Sequence, residues 1–343
     1  MKADRRRILS LGASAVVAAV AAPLAASPAS AASPQIIELG LLPGTTGSAA
    51  TDVNEFGVVV GHSFTPNGPG QYSRAFRWEN GVMADLGSLG GPIVAANGIN
   101  NKGWIVGSSN LTSGSNIHHA FLWRPGLGMV DIGPAGTHSV ARDVNDSGVV
   151  VGYYSDPELG IRGFRWKNGV LTMIENAAVP PDPEWRKFLP TQINNSGLIA
   201  GDNQEQAARW VNGTVTVVGQ PGATSGGVNA AGDVTVSGDF APYGSYVWRA
   251  DGTTVALQVP VGTDRVSPTG INDLGKAVGI ANTGDIAVSR AVYWSETGVV
   301  HRLPSLVSGG QSGAMRLNNR SQVVGWAHAA DGTYRAVLWQ PTS

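Results

Sequence analysis

A repeat present in seven copies, 47 glycines and 20 prolines in 343 residues, and only 14% charged side chains together predict an all-β fold, a seven-bladed β-propeller of four-stranded blades. The repeat carries the prediction. An apolar residue, then Asn, two variable residues and usually Gly, leading into a run such as VVVG, occurs at Asn54, Asn100, Asn145, Asn194, Asn229, Asn272 and Asn318. A second motif, as in AFRW, ends at Trp78, Trp123, Trp166, Trp210, Trp248, Trp294 and Trp339 and alternates with the first.

Each unit of about 45 residues reads as four strands, a to d. Strand a ends at the Asn, strand b is the β-branched run, strand c carries the Trp, and strand d follows a turn such as Glu79–Asn80–Gly81. Asn followed three residues later by Gly suits a tight turn, because Asn caps turns with its side chain and Gly accepts positive φ. The seventh copy has Ser321 instead. Such a meander has two apolar faces, so the blades are expected to stack into a closed ring. The last copy stops after Trp339 and lacks strand d, whereas residues 36–41, IIELGL, resemble the d strand ADLGSL at 84–89. The N-terminal strand is therefore expected to close the ring as the outer strand of the last blade.

Residues 1–31 differ from the rest. Arg5, Arg6 and Arg7 precede the apolar run Ile8 to Ala26, and Ala29, Ser30 and Ala31 form a small-residue cleavage site, the pattern of a signal peptide. DRRRILS resembles the twin-arginine export signal, whose passengers cross the membrane folded. The remaining 32–343 are expected to form one propeller domain, monomeric and secreted or extracytoplasmic, with the cell surface included in that expectation. Without the leader, 19 basic face 23 acidic side chains. No later apolar stretch could span a bilayer and no basic cluster offers a nucleic-acid footprint. No cysteine is present, which excludes disulfides, thiolate metal sites and cysteine nucleophiles.

The pieces AFRW, LGSLGG and INNKGWIVG resemble the bacterial extracellular repeat called HAF, after the His, Ala, Phe motif found here as His119, Ala120 and Phe121. The resemblance covers 36–340 and implies export and repetition without a defined activity. Ala207 to Trp210 lack the aromatic before Trp, and Val236 replaces the Gly that closes strand b in the other six copies.

The a–b and c–d turns should share one face of the ring and the longer b–c and d–a loops the other. Insertions vary the loop face, the longest at 175–190 with Trp185 as a candidate contact residue. The channel lining is expected two and three residues before each Asn, and there the repeat varies most. Candidate binding residues at its mouth are Asp52, Arg142, Asp143, Gln192 and Arg316, with an ion pair between Arg316 and Asp52 expected across the closure. Asp52 and Asp143 could form an acid and base pair, although two blades separate them. His119 stands where other copies have Arg74, Arg162, Arg290 and Arg335, four residues before the Trp, so a hydrogen bond between blades is its expected role. His118 and His119 point to opposite strand faces and cannot share a metal, and no elbow serine or phosphate loop occurs. No metal or cofactor is expected. The expected function is a binding module for a glycan, peptide or small molecule on the loop face. The alternative is a secreted lyase or hydrolase with its site at the loop-side mouth of the channel.

Overall fold

The computed structural model describes residues 34–65, 72–176, 187–238, 244–284 and 288–341, so the expected leader and Trp185 lie outside the described residues. The described residues form seven antiparallel sheets of four strands. Blade 1 runs through Gly47–Val53, Val59–Thr65, Tyr72–Glu79 and Val82–Asp85 as strands a to d. Five further meanders cover 94–131, 139–174, 189–217, 224–256 and 265–302. Blade 7 joins Ser312–Leu317, Val323–His328 and Tyr334–Gln340 to Gln35–Gly40 from the other end of the chain. The closing strand thus lies one residue earlier than 36–41, with Ile37 opposite Leu338.

Its register explains why it fits. Glu38 lies opposite Val337 as Asp85 lies opposite Phe76 and Asp131 opposite Phe121. In all three blades that acid pairs with the residue four before the Trp: Arg335 with Glu38 at 3.1 Å, His119 with Asp131 at 2.8 Å, and Arg74 with Asp85. The ion pair at the closure is therefore this outer one. The expected Arg316–Asp52 pair does not form, because Arg316 folds back over Gly270 and donates to the carbonyls of Thr269 and Met315.

Apolar burial holds neighbouring blades together through seven clusters, one at each interface. Val58 and Val60 of blade 1 meet Val94, Ile105 and Phe121 of blade 2, and Val324 and Leu338 of blade 7 meet Phe76 and Trp78 of blade 1. Trp78, Trp294 and Trp339 are buried, and Trp123, Trp166, Trp210 and Trp248 pack partly buried against the clusters. The indoles of Trp210, Trp294 and Trp339 donate to the carbonyls of Glu175, Gln258 and Pro304, in the connection leaving the preceding blade. Each ring can remove roughly 150–250 Å² from water, so these residues are core.

The repeat asparagines do two jobs at once. Asn145 Oδ1 accepts from the backbone N–H groups of Ser147 and Val149 and so caps its own turn. Its Nδ2 donates to the carbonyl of Asn194 in the next blade. The same donation runs from Asn54 to Asn100, Asn100 to Asn145, Asn194 to Asn229, Asn229 to Asn272, Asn272 to Asn318 and Asn318 back to Asn54. The result is a closed, one-way circle of seven bonds. Aspartate could cap the turn but has no N–H for the neighbouring blade, which is the physical reason for Asn at this place. Ser321 adopts φ 59°, the conformation glycine takes in the other copies.

Candidate functional site

Two consecutive residues of each inner strand face the channel, which a regular strand with side chains alternating between its faces does not allow. A β-bulge in every strand a makes it possible: pairing skips a residue between Ala50 and Asp52, Ala96 and Gly98, Ala141 and Asp143, Pro190 and Gln192, Pro268 and Gly270, and Ala314 and Arg316. In blade 5 Gly226 and Gly227 are skipped against Thr235 on strand b, again an excess of one residue. Val236 stands where Gly107 stands in blade 2, a place at which a Cβ would lie 1.9 Å from the Ala95 carbonyl oxygen.

The residues two before each Asn line a turn-side cavity of about 170 Å³ that includes Asp52, Asp143, Gln192 and Arg316. Their acceptors are occupied. Asp52 takes the N–H of Val53 with one oxygen and that of Ile99 in blade 2 with the other, both at 2.8 Å. Asp143 does the same with Val144 and with Ile193 of blade 4, and Gln192 Oε1 accepts from Val228 of blade 5. Blade 2 presents only Gly98 between the two carboxylates, and a Cβ there would stand 2.9 Å from Asp143 Oδ1. Their charges consequently interact despite the blade between them. Burial first, then the Asp143 charge, push the Asp52 carboxyl up to about 7 against the opposing pull of Arg316 and two backbone donors. Burial also raises Asp143.

One residue beyond each Asn, Glu55, Asn101, Asp146, Asn195, Asp273 and Asn319 crown this mouth. The backbone N–H of one blade donates to the crown side chain of the next at Glu55 to Asn101, Asn101 to Asp146, Asp146 to Asn195, Asp273 to Asn319 and Asn319 to Glu55. The turn-side mouth is acidic, and hydrogen bonds between blades consume its polar groups.

The residues three before each Asn open instead into a loop-side cavity of about 380 Å³ with Thr51, Asn97, Arg142, Thr191, Thr269 and Met315 on its wall. Most of the polar ones are also engaged. Thr51 donates to Ala96 O, Asn97 to Ala141 O and Thr269 to Ala314 O, each in the next blade, and Thr191 meets Ser225. Arg142 does none of this. It is exposed, and its guanidinium lies 5.3 Å from the ring centre of Tyr153.

Tyr153 marks a position the repeat pattern did not single out: the residue following the last residue of strand b's apolar run, usually after Gly. His62, Tyr153, Ser237 and Trp326 hold it in blades 1, 3, 5 and 7, and Ser237 lines the loop-side cavity. At blades 7 and 1 these residues join an aromatic patch, with Tyr334 centred 5.0 Å from Trp326, 4.6 Å from His328 and 6.2 Å from Phe64, and His62 5.5 Å from Phe64. Simple adjacency to the strand-b glycine would have found this position.

His119 is buried away from both mouths. Its Nδ1–H donates to Asp131 in its own blade, which corrects the expected bond between blades: the imidazole is too short for the reach of Arg335, which extends to Thr46 O of blade 1. Glu175 and Lys187 bridge the base of the longest insertion. No group of three or more metal-ligating side chains occurs among the described residues, and no helix there is long and apolar enough to cross a membrane.

No family model matches the chain and no curated protein matches it in sequence. Solved structures share the fold at low identity. The β-propeller domain of the Trilobed protease from Pyrococcus furiosus, described as having an open velcro topology, is 11% identical with a TM-score of 0.53, over 87% of this chain and 97% of that one. A puromycin hydrolase is 14% identical with a TM-score of 0.51, over 85% of this chain and 53% of its own. These likenesses establish a β-propeller, and here the N-terminal strand closes it.

Proposed function

We propose that this ring is the binding module of an exported protein and holds a small hydroxylated ligand at the loop-side mouth of its channel. The observation that carries the reading is a contrast in hydrogen bonding: at the loop-side cavity Arg142 and the hydroxyls of Ser237 and Ser267 stay free among threonines that join blades, whereas at the turn-side cavity Asp52, Asp143 and Gln192 are all used to join blades. A volume of about 380 Å³ suits a ligand of monosaccharide size. The aromatic patch of blades 7 and 1 offers further ring faces for a sugar. The leader-like residues 1–31 and the HAF-type motifs support a place outside the cytoplasm.

A hydrolase or lyase at the same mouth would need a carboxylate there. Among the described residues no carboxylate lines that cavity; Asp202, which holds in blade 4 the place of Tyr153, borders it but accepts from the N–H of the lining residue Ser225, and Asp52 and Asp143 open to the opposite mouth with both oxygens of each engaged. The test is thermal unfolding of the full chain against oligosaccharides, monosaccharides, peptides and small metabolites. A ligand that binds only the folded ring raises its melting temperature. A stabilising compound recovered unchanged after incubation supports the binding module; one recovered chemically altered replaces it with the enzyme.

A further inference from the structure

We infer that the loop-side mouth selects an anionic sugar, a hydroxylated ring bearing one carboxylate or phosphate, with Arg142 as the oxyanion anchor. The inference rests on the binding-module reading and names the ligand class of that site.

Three observations carry it. Three residues before the Asn, Thr51, Asn97 and Thr269 donate to a carbonyl of the next blade and Thr191 meets Ser225 there, while Gly226 and Met315 carry no side-chain donor for the task. Arg142 occupies that place in blade 3 and makes no hydrogen bond or ion pair with any described residue, leaving its full fork of N–H donors available among them. Stacking on Tyr153 restrains the guanidinium while keeping those donors free, an arrangement suited to two-point recognition of carboxylate or phosphate.

No acid among the described residues lines the cavity around it. The chain neighbour Asp143 belongs to the turn-side cavity, with its oxygens on Val144 and Ile193. Among the described residues the loop-side cavity holds Arg142 and Arg316 and no acid. A bound oxyanion would supply the missing negative charge. On other blades the same cavity presents the hydroxyls of Ser237 and Ser267, which make no hydrogen bond with any described residue. A ligand with its oxyanion at Arg142 and hydroxyls toward Ser237 and Ser267 would satisfy both ends.

Calorimetric titration of the full chain with D-glucuronate, glucose 6-phosphate, neutral D-glucuronamide and D-glucose tests this. The expected result is binding of glucuronate or glucose 6-phosphate at least tenfold tighter than of either neutral sugar, the tighter anion showing whether carboxylate or phosphate is preferred. Arg142→Ala should abolish that preference and Arg142→Lys should retain part of it, with both variants melting like the parent. Equal binding of anionic and neutral sugars, or an Arg142→Ala chain that still prefers the anion, overturns the inference and leaves the binding module standing. Failure of all four sugars also overturns it, and the binding-module reading falls with it only if the broader thermal panel is silent as well.

Discussion

The two mouths of one channel are built from adjacent residues of the same strands, yet they differ in what their polar groups do. At the turn side, Asp52, Asp143, Gln192 and the crown from Glu55 to Asn319 spend their acceptors on the neighbouring blade. At the loop side, Arg142, Ser237 and Ser267 have no side-chain hydrogen-bond partner among the described residues. The difference teaches that a variable, charged residue in a channel is no sign of function until its hydrogen bonds have been traced. Asp52 and Arg142 looked equally promising by position, and only one of them has its polar atoms free.

The comparison can be attacked at its strongest point first. Asn145→Ala removes two turn-capping acceptances and the donation to Asn194 from a buried site, so it should cost about 3 kcal/mol. Urea unfolding reads the loss, and a midpoint like the parent's would mean the circle of asparagines contributes nothing. Asp52→Asn comes next. The folded carboxyl of Asp52 titrates near 7 against a usual 3.8, so the folded ring holds this proton more tightly than the unfolded chain. Its contribution is greatest below about pH 4 and is lost as pH rises through 7. Between pH 5 and pH 8 the variant should therefore gain on the parent, by on the order of 2 kcal/mol. A constant offset at both pH values would show that Asp52 is ionised throughout.

Smaller effects sharpen the picture. Glu38→Ala breaks the ion pair at the closing strand, but that carboxylate is 44% exposed, so about 0.5 kcal/mol is expected from thermal melts in low salt. Arg142→Ala should leave stability within about 0.5 kcal/mol of the parent, because the side chain makes no polar bond with any described residue. A larger loss would place Arg142 among the structural residues and remove the contrast between the mouths.

Much of the ring was legible because two independent motifs each occur seven times and the missing half-unit appears at the other terminus. The register across the closure was one residue off, since aligning 36–41 with 84–89 sets Glu38 on Leu86, whereas in the fold Glu38 takes the place of Asp85. The bulge was not legible as such; counting back from Asn still located the lining residues, but it could not say which would face which mouth. The Arg316–Asp52 pair failed because a long side chain answers to its surroundings: Gly270 leaves room for Arg316 to lie across blade 6, where carbonyls are within reach. The rim position of Tyr153 and Trp326 was overlooked because its occupants share no chemistry, only their place after the end of strand b.

The clasp at the ends of the chain has a mechanical consequence. Gln35 pairs with Gln340 and Gly40 with Ala336, so the two ends leave the antiparallel pair from the same side. A pull applied to both would load its bonds one after another, starting at Gln35, and would unzip the strand instead of shearing it. Once it is peeled away, the Asn318 to Asn54 bond, which spans 264 residues, loses its support, whereas the Asn194 to Asn229 bond spans only 35. The ring should thus be weakest under tension at the seam, and opening there would leave six blades with their own four strands.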